Sequence, residues 1–449
     1  MQTTSAAANL NQFRDSVYHQ ALGRRKDSLF ELLEATLAGG PRTSLVQRTL
    51  SPLFQRRWSS APDALADGTL DREGGRQVIQ PPLAEVPVVG RQVWAVDVTV
   101  WPRPAARTSP ERTWGHRVTP GQPQEGVIPA WEYQWLVVVP LPGSSWVLPL
   151  EVERRGPQEA SPTALALRQL RMALAHRLAP APRPVVTFDS GYDAVAVGKA
   201  VLRGSAEEQV AVDALVRLPS RRRLYRQPPP YAGKGRPRVH GAVLRLKDPA
   251  THGTPDRSAC LQDARHGQVQ VDVWEHLHDQ HAPSVGLTLV RVQAERLPRA
   301  LKVVGPLWLV WVGERLPEDL LDLWHWYALR FTIEQGFRFL KQDLGWTAVR
   351  VRAPAAADRW SRLVALGLWE LWLARGVVSE QRLPWERRLP PEGLPPGRVR
   401  RGLGMVLAAA GSPVRCVRPR GKSPGRQVGE RPGPSRQHPV SKRQAATAA

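Results

Sequence analysis

Residues 324–346 read WHWYALRFTIEQGFRFLKQDLGW. At the helical step of about 100° per residue, Arg330, Lys341, Glu334 and Tyr327 fall within one arc of about 60°. Beside that arc run Phe337, Leu344, Trp326, Ile333, Leu340 and Leu329, an apolar stripe of the kind that docks a helix on a core. The stretch is therefore read as one continuous helix, buried along one side. A phenol, a guanidinium, a carboxylate and an ammonium form a row at the edge of that burial. The ordinary alternative is a solvated face with Arg330 paired to Glu334 one turn on. That alternative leaves the placing of the row against aromatics unaccounted for.

Two aspartates upstream sit in settings that ask for a partner. Residues 92–101, QVWAVDVTVW, are β-rich and apolar on both faces, which reads as a buried strand. Asp97 is its one acid. A carboxylate there must be paired, protonated or bound to a metal, because an isolated buried charge is expensive. The plain alternative is an aspartate held by an arginine or by backbone donors. Farther on, the apolar run VVTF leads into Asp189-Ser190-Gly191-Tyr192. Asp189 thus lies where a strand meets a turn, the place at which open α/β sheets hold ligands. Turn aspartates also arise for backbone reasons alone.

The spacing Tyr-x2-Arg-x3-Glu-x6-Lys at Tyr327, Arg330, Glu334 and Lys341 resembles the signature of a branch of bacterial insertion-sequence transposases of the DDE class. Lys341 sharpens the match, being one of eight lysines against fifty-five arginines. The resemblance implies that Asp97, Asp189 and Glu334 are the catalytic carboxylates and the ligands of two Mg²⁺ or Mn²⁺ ions. It implies that Tyr327, Arg330 and Lys341 contact phosphates of the transposon end, and Arg338 on the same helix is grouped with them. The chemistry is then in-line phosphoryl transfer between two metals, which nicks the transposon end and joins it to target DNA. The partners are double-stranded DNA, as terminal inverted repeats and target, and a second copy of the chain in a DNA-bound homodimer.

The order of elements agrees with that resemblance. After the first strand come YQWLVVVPL and SWVLPLEVE, a hairpin turning at Pro142-Gly143-Ser144. A helix from about 163 to 178, the VVTF strand, a helix over 195–202 and the strand EQVAVDALVRL follow. This matches the ribonuclease H-like order, in which the first and fourth strands are neighbours and Asp97 meets Asp189. From Asp189 to Glu334 is 145 residues, too long for a connecting loop. The interval reads as a β-rich insertion, with strand-like runs GQVQVDVW, VGLTLVRVQAE and ALKVVGPLWLVWVG. The expected fold is α/β: a ribonuclease H-like mixed sheet with flanking helices, interrupted by a mainly β insertion, with an N-terminal helical domain and a disordered basic tail. The expected limits are 1–90 for the helical DNA-binding domain, 91–217 for the first part of the core and 218–318 for the insertion. The catalytic helix and end of the core take 319–375, a helical segment 376–410, and the tail 411–449.

Within the insertion, Arg236 and Arg238 flank Pro237 in a run rich in Arg, Pro and aromatics that resembles an AT-hook, an extended segment able to follow a minor groove. A solvated basic loop is the alternative. His276, His278 and His281 with Asp279 are either metal ligands or the polar end of a hairpin. Trp274, Trp308 and Trp311 alternate with aliphatics and read as core. In the N-terminal part, Arg24, Arg25, Lys26, Arg56 and Arg57 suit either phosphates or a solvated surface.

The net charge of +23, from 63 basic and 40 acidic residues, calls for a polyanionic partner, with nucleic acid first. The excess of Arg over Lys, with abundant Ala, Pro and Gly, also reflects compositional bias. Cys260 and Cys416 exclude a disulfide framework and a cysteine-built zinc site. No apolar run approaches the roughly 20 residues of a membrane span. The expectation is a bacterial cytoplasmic protein, nucleoid-associated when bound to DNA. Beyond Gly411 the chain is Gly, Pro, Ser and Arg without periodicity, with nine basic residues and one acidic. Such a composition is read as disordered. Two other functions stay open: a metal-dependent nuclease without strand transfer, and an inactive transposase-derived DNA-binding protein. The complete acidic triad speaks against the second.

Overall fold

The apolar spacing of the first ninety residues folds as α1 (Gln2–Ser16), α2 (Lys26–Ala38), α3 (Leu45–Arg48), α4 (Ser60–Asp67), α5 (Arg72–Val78) and α6 (Gln80–Ala84). The computed structural model of the chain describes residues 2–41, 43–88, 90–117, 126–140, 144–159, 161–178, 181–202, 209–231, 233, 235–296, 305–417, 427, 429–431 and 433–443. A single helix through Phe13–Leu37 is not formed. The chain breaks between α1 and α2 at Arg25, which takes a left-handed φ of 57°. The break lets Leu22 bridge to Leu70. Three of the basic groups here are paired: Arg24 and Arg25 with Asp67, and Arg56 with Glu31 and Asp27.

The next stretch supplies β1 (Val93–Pro102), β2 (Thr113–Arg117), β3 (Gly126–Val139), β4 (Leu148–Arg155), α7 (Pro162–Ala175), β5 (Val185–Phe188), α8 (Ala194–Leu202) and β6 (Asp213–Arg217). β3 pairs antiparallel with both β1 and β4, while β1, β5 and β6 run parallel. The resulting order β4-β3-β1-β5-β6 is ribonuclease H-like. The β3–β4 hairpin forms as expected, and its turn residues Pro142 and Gly143 lie outside the described residues.

The insertion contributes β7 (Arg223–Tyr225), β8 (Val243–Arg245), β9 (Arg257–Asp263), β10 (Gly267–Asp279), β11 (Ala282–Ala294) and β12 (Leu307–Val312). β12 pairs antiparallel with β6, so the insertion continues the core sheet edge to edge. Trp274, Trp308 and Trp311 are buried in it. Residues 297–304, which include the start of the third strand-like run, lie outside the described residues.

The stretch that opened the sequence reading is two helices, α9 (Leu321–Leu329) and α10 (Thr332–Gln342), followed by α11 (Pro354–Ala374) and α12 (Pro396–Ala410). The junction at Arg330 and Phe331 tightens: the N–H groups of Arg330, Phe331, Ile333 and Glu334 each donate to the carbonyl three residues back. The cause is that the two halves serve two cores. Trp324, Trp326 and Tyr327 pack with the insertion strands, whereas Ile333, Phe337, Phe339 and Leu340 pack on the ribonuclease H-like core. A side chain at Gly336 would overlap Val147, so this glycine lets α10 settle onto the core.

Part of the segment expected as a disordered tail is held on the core. The described stretch 433–443 lies along β2: His438 N–H donates to Arg107 O (2.9 Å) and Ser441 N–H to Arg112 O (2.8 Å). Ser441 bridges Thr113, and Arg443 pairs with Glu132 at 3.1 Å. An edge strand leaves backbone groups unpaired, and Glu132 draws the cationic end. Among the described residues no helix is long and apolar enough to cross a membrane.

Candidate active site

β1 and β5 run parallel with Ala95 opposite Thr187. Two residues farther along each strand stand Asp97 and Asp189, so the register itself brings the acids together. One oxygen of each is fixed by backbone: Asp97 Oδ1 accepts from Val98 N–H and Asp189 Oδ1 from Gly191 N–H, both at 2.8 Å. The other oxygens turn to Arg330. Its Nη2 donates to Asp97 Oδ2 at 2.8 Å and stands 3.9 Å from Asp189 Oδ2. One end of one guanidinium therefore serves both carboxylates.

Burial pushes the Asp97 carboxyl up to about 6; Arg330 opposes that rise, while Asp189 and Glu334 add to it. Burial works against the charge of Arg330, but Asp97, with Tyr327 and Asp189, outweighs it and holds the guanidinium above its ordinary value. The acids thus outnumber the cation that holds them, and their access to water is restricted. Of the two aspartates Asp189 is the more open, with its side chain 36% exposed against 18% for Asp97.

The helix break redistributes the predicted row. Glu334 lies in the first turn of α10, exposed. Among the described residues its side chain makes no hydrogen bond or ion pair, yet it is near enough to raise Asp97. Tyr327, expected at a phosphate, is fully buried on α9 and its hydroxyl has no hydrogen-bond partner among the described residues. Burial pushes its pKa up to about 12. The reason is the break: a wheel drawn on one axis places Tyr327 beside Glu334, but α9 turns it into the insertion core. Lys341 is half-buried and donates to Thr99 Oγ1 at 2.5 Å, tying α10 to the strand that carries Asp97. Arg338 is exposed on α10. Arg236 and Arg238 are exposed between β7 and β8, and neither contacts the carboxylates among the described residues.

Two residues enter that the sequence reading missed. Thr99 shares a strand face with Asp97, two positions on, and receives Lys341. Tyr192 is buried beside the acids, donates to Gln134 Oε1 at 3.2 Å, and has its pKa raised by burial and then by Asp97 and Asp189. The Asp-Ser-Gly-Tyr turn was the signal for it. Among the described residues the histidines of the insertion do not form a metal site. His278 stands 2.9 Å from His240 through their ring nitrogens and stacks on Tyr225. Asp279 closes the β10–β11 hairpin against Ala282.

A divalent ion fits the chemistry of the two aspartates. Both are oxygen donors that already converge on one positive centre, the Arg330 guanidinium, where an ion of the hard, oxygen-seeking kind would be held. Glu334 is the further acid whose charge reaches Asp97. Among the described residues no three His, Cys, Asp or Glu side chains stand together as a ready-made ligand group.

Comparison with known proteins adds a family. The DDE superfamily endonuclease family matches residues 17–278, more than half of the chain. No curated protein sequence matches. Among solved structures, the chain is similar to the piggyBac transposase in its synaptic complex with hairpin DNA, at 11% identity and a TM-score of 0.40, over 90% of this chain and 78% of that one.

Proposed function

The chain belongs to the DDE superfamily endonucleases, and we propose that within that family it is a DNA transposase, one that cleaves transposon ends and joins them to target DNA. The observation that carries the reading is the shared hold of Arg330 on Asp97 and Asp189, at 2.8 and 3.9 Å, on β1 and just past the end of its parallel neighbour β5. Two acids fixed by backbone on one side and met by a cation on the other suit phosphoryl transfer, in which positioning and charge do most of the work. Asp97, Asp189 and Glu334 would hold two Mg²⁺ or Mn²⁺ ions. Bound there, the ions would make a water or a 3′-hydroxyl nucleophilic and offset charge on the leaving oxygen.

The rest is done by the chain. Arg330 offsets part of the charge of the two aspartates in the free protein and is the cation closest to a phosphate seated on them. Lys341 fixes α10 against β1 through Thr99, which sets how near Glu334 stands to Asp97. Arg338 offers a phosphate contact on the exposed face of the same helix. The helices of residues 1–90 would recognise the transposon end, and the insertion of residues 218–318, with Arg236 and Arg238 in its exposed loop, would carry flanking DNA. A homodimer would assemble on paired ends.

The test compares Glu334→Gln with Lys341→Ala on one end substrate, by band shift and by Mn²⁺-dependent cleavage and joining. Glu334→Gln should bind and neither cleave nor join. Lys341→Ala should retain part of the cleavage at high DNA concentration. Wild-type cleavage by Glu334→Gln would refute the assignment, and cleavage without any joined product in the wild type would reduce it to a nuclease.

A further inference from the structure

A groove of about 890 Å³ opens from Glu334 and Arg338. One wall is the insertion. Arg265 lies in the turn between β9 and β10, and Arg296 follows β11; Arg296 N–H donates to His266 O at 3.0 Å, which joins the two segments. Asp263 Oδ1 accepts from the backbone of Arg265 and His266, at 2.8 and 2.7 Å, and so fixes the turn. Arg265, Arg296 and Arg338 are exposed, and among the described residues none has an acidic partner.

The opposite wall is α12 with the loop before it. Arg401 grips Glu386 with two bonds, Nη1 to Oε2 at 2.8 Å and Nη2 to Oε1 at 2.6 Å, while Arg398 Nε stands 3.7 Å away. Glu386 also accepts from Leu383 N–H at 2.9 Å. The Arg401 fork foremost, then that N–H, holds the carboxyl down at about 2. A carboxylate gripped in this way has the charge and acceptor geometry of a phosphodiester, which the same fork accepts. The pair is open to water, with Arg401 31% and Glu386 19% exposed. A phosphodiester that enters offers the Arg401 fork the same two acceptors, so the exchange replaces one bidentate pair with another.

We propose that this groove is a nucleic-acid backbone channel leading away from Glu334, with Arg265, Arg296 and Arg338 taking phosphates on one side and Arg398 and Arg401 on the other, and that Glu386 holds the phosphate position on the second side until a strand displaces it. The channel rests on the active-site reading only in taking Glu334 as its end. Its occupant is defined by chemistry: a chain of phosphodiesters spaced to meet cations on both walls.

The experiment is a band-shift titration of the full-length protein with a mixed-sequence DNA duplex, from about 50 to about 200 mM KCl. Arg265→Gln/Arg296→Gln should weaken binding about tenfold or more at the low-salt end and lower the log–log salt slope by about 1.8, at about 0.9 per lost phosphate contact. Glu386→Gln should do the reverse, binding tighter with a steeper slope. An unchanged slope in the double variant overturns the channel. Unchanged or weaker binding by Glu386→Gln, at an unaltered melting temperature, overturns the displacement. Cleavage by the wild type and by Asp97→Asn is read in parallel. Equal cleavage by those two refutes the active site and leaves the salt-slope result standing by itself.

Discussion

The chain contains two clusters of nearly the same formula. In the first, Arg330 stands 2.8 Å from Asp97 and 3.9 Å from Asp189. In the second, where α1 and α2 meet α11, Arg14 Nε donates to Glu34 Oε1 at 2.9 Å and stands 3.9 Å from Glu370. Each is two carboxylates on one guanidinium. They differ in support and in access. Asp97 sits within β1 and Asp189 just past the end of β5, where backbone N–H groups hold one oxygen of each and the other faces Arg330. The glutamates project from helix sides, and both oxygens of Glu370 lack a hydrogen-bond partner among the described residues. The second cluster is sealed, with side chains 3%, 1% and 0% exposed. Burial pushes Glu34 up to about 7 and Glu370 up to about 8, with Glu31 adding to the first rise, Glu34 to the second, and Arg14 opposing both. Charge arrangement alone therefore does not make a site. Backbone support and an opening to solvent do.

The sharpest way to break this contrast is to neutralise one acid in each cluster. Asp97→Asn should lower divalent-ion-dependent cleavage by roughly a thousandfold or more, and Glu370→Gln should leave it within a few-fold. Similar losses in the two would erase the distinction. Next in size is the cation of the sealed cluster. Arg14→Met should cost about 3–5 kcal/mol in urea unfolding at pH 8, because an ionised buried Glu34 is left unpaired. The cost should shrink at pH 5, where the carboxyls carry protons; a cost independent of pH would mean that packing, not charge, is lost.

A smaller effect is expected from the acids themselves. The folded chain holds a proton on Glu370 up to about pH 8, whereas an unfolded glutamate releases it near its ordinary value of about 4.3. Between those limits the folded state binds more protons, so stability falls as pH rises. Glu370→Gln removes the fall. Its melting temperature should match the wild type at pH 5 and exceed it at pH 8 to 9. The same reasoning gives Asp97→Asn the smallest gain. Asp97 is raised only to about 6, so its destabilising window runs from about 4 to about 6. A larger gain at pH 7 from Asp97→Asn than from Glu370→Gln would reverse the ranking of the two clusters.

Sequence was enough for much of the first cluster and for none of the second. QVWAVDVTVW declared a buried strand with one acid, and VVTF before Asp189 declared the other. The strand–hairpin–helix–strand order then required β1 and β5 to be neighbours. Nothing local marks Glu34 and Glu370, each one acid among many on an amphipathic helix. They meet only because α1, α2 and α11 pack across 336 residues of chain.

Local pattern thus determined the elements, the insertion and the pairing of Asp97 with Asp189, because periodicity and turn chemistry are written within a few residues of each other. Tertiary structure decided what those patterns face. It broke Trp324–Trp346 into α9 and α10, since one helix axis cannot lie along two cores. It buried Tyr327, set Lys341 on Thr99 and laid residues 433–443 along β2. In every case the deciding quantity is which polar groups lose water and which partner replaces it. That is fixed by segments far apart in sequence, and no window along the chain contains both.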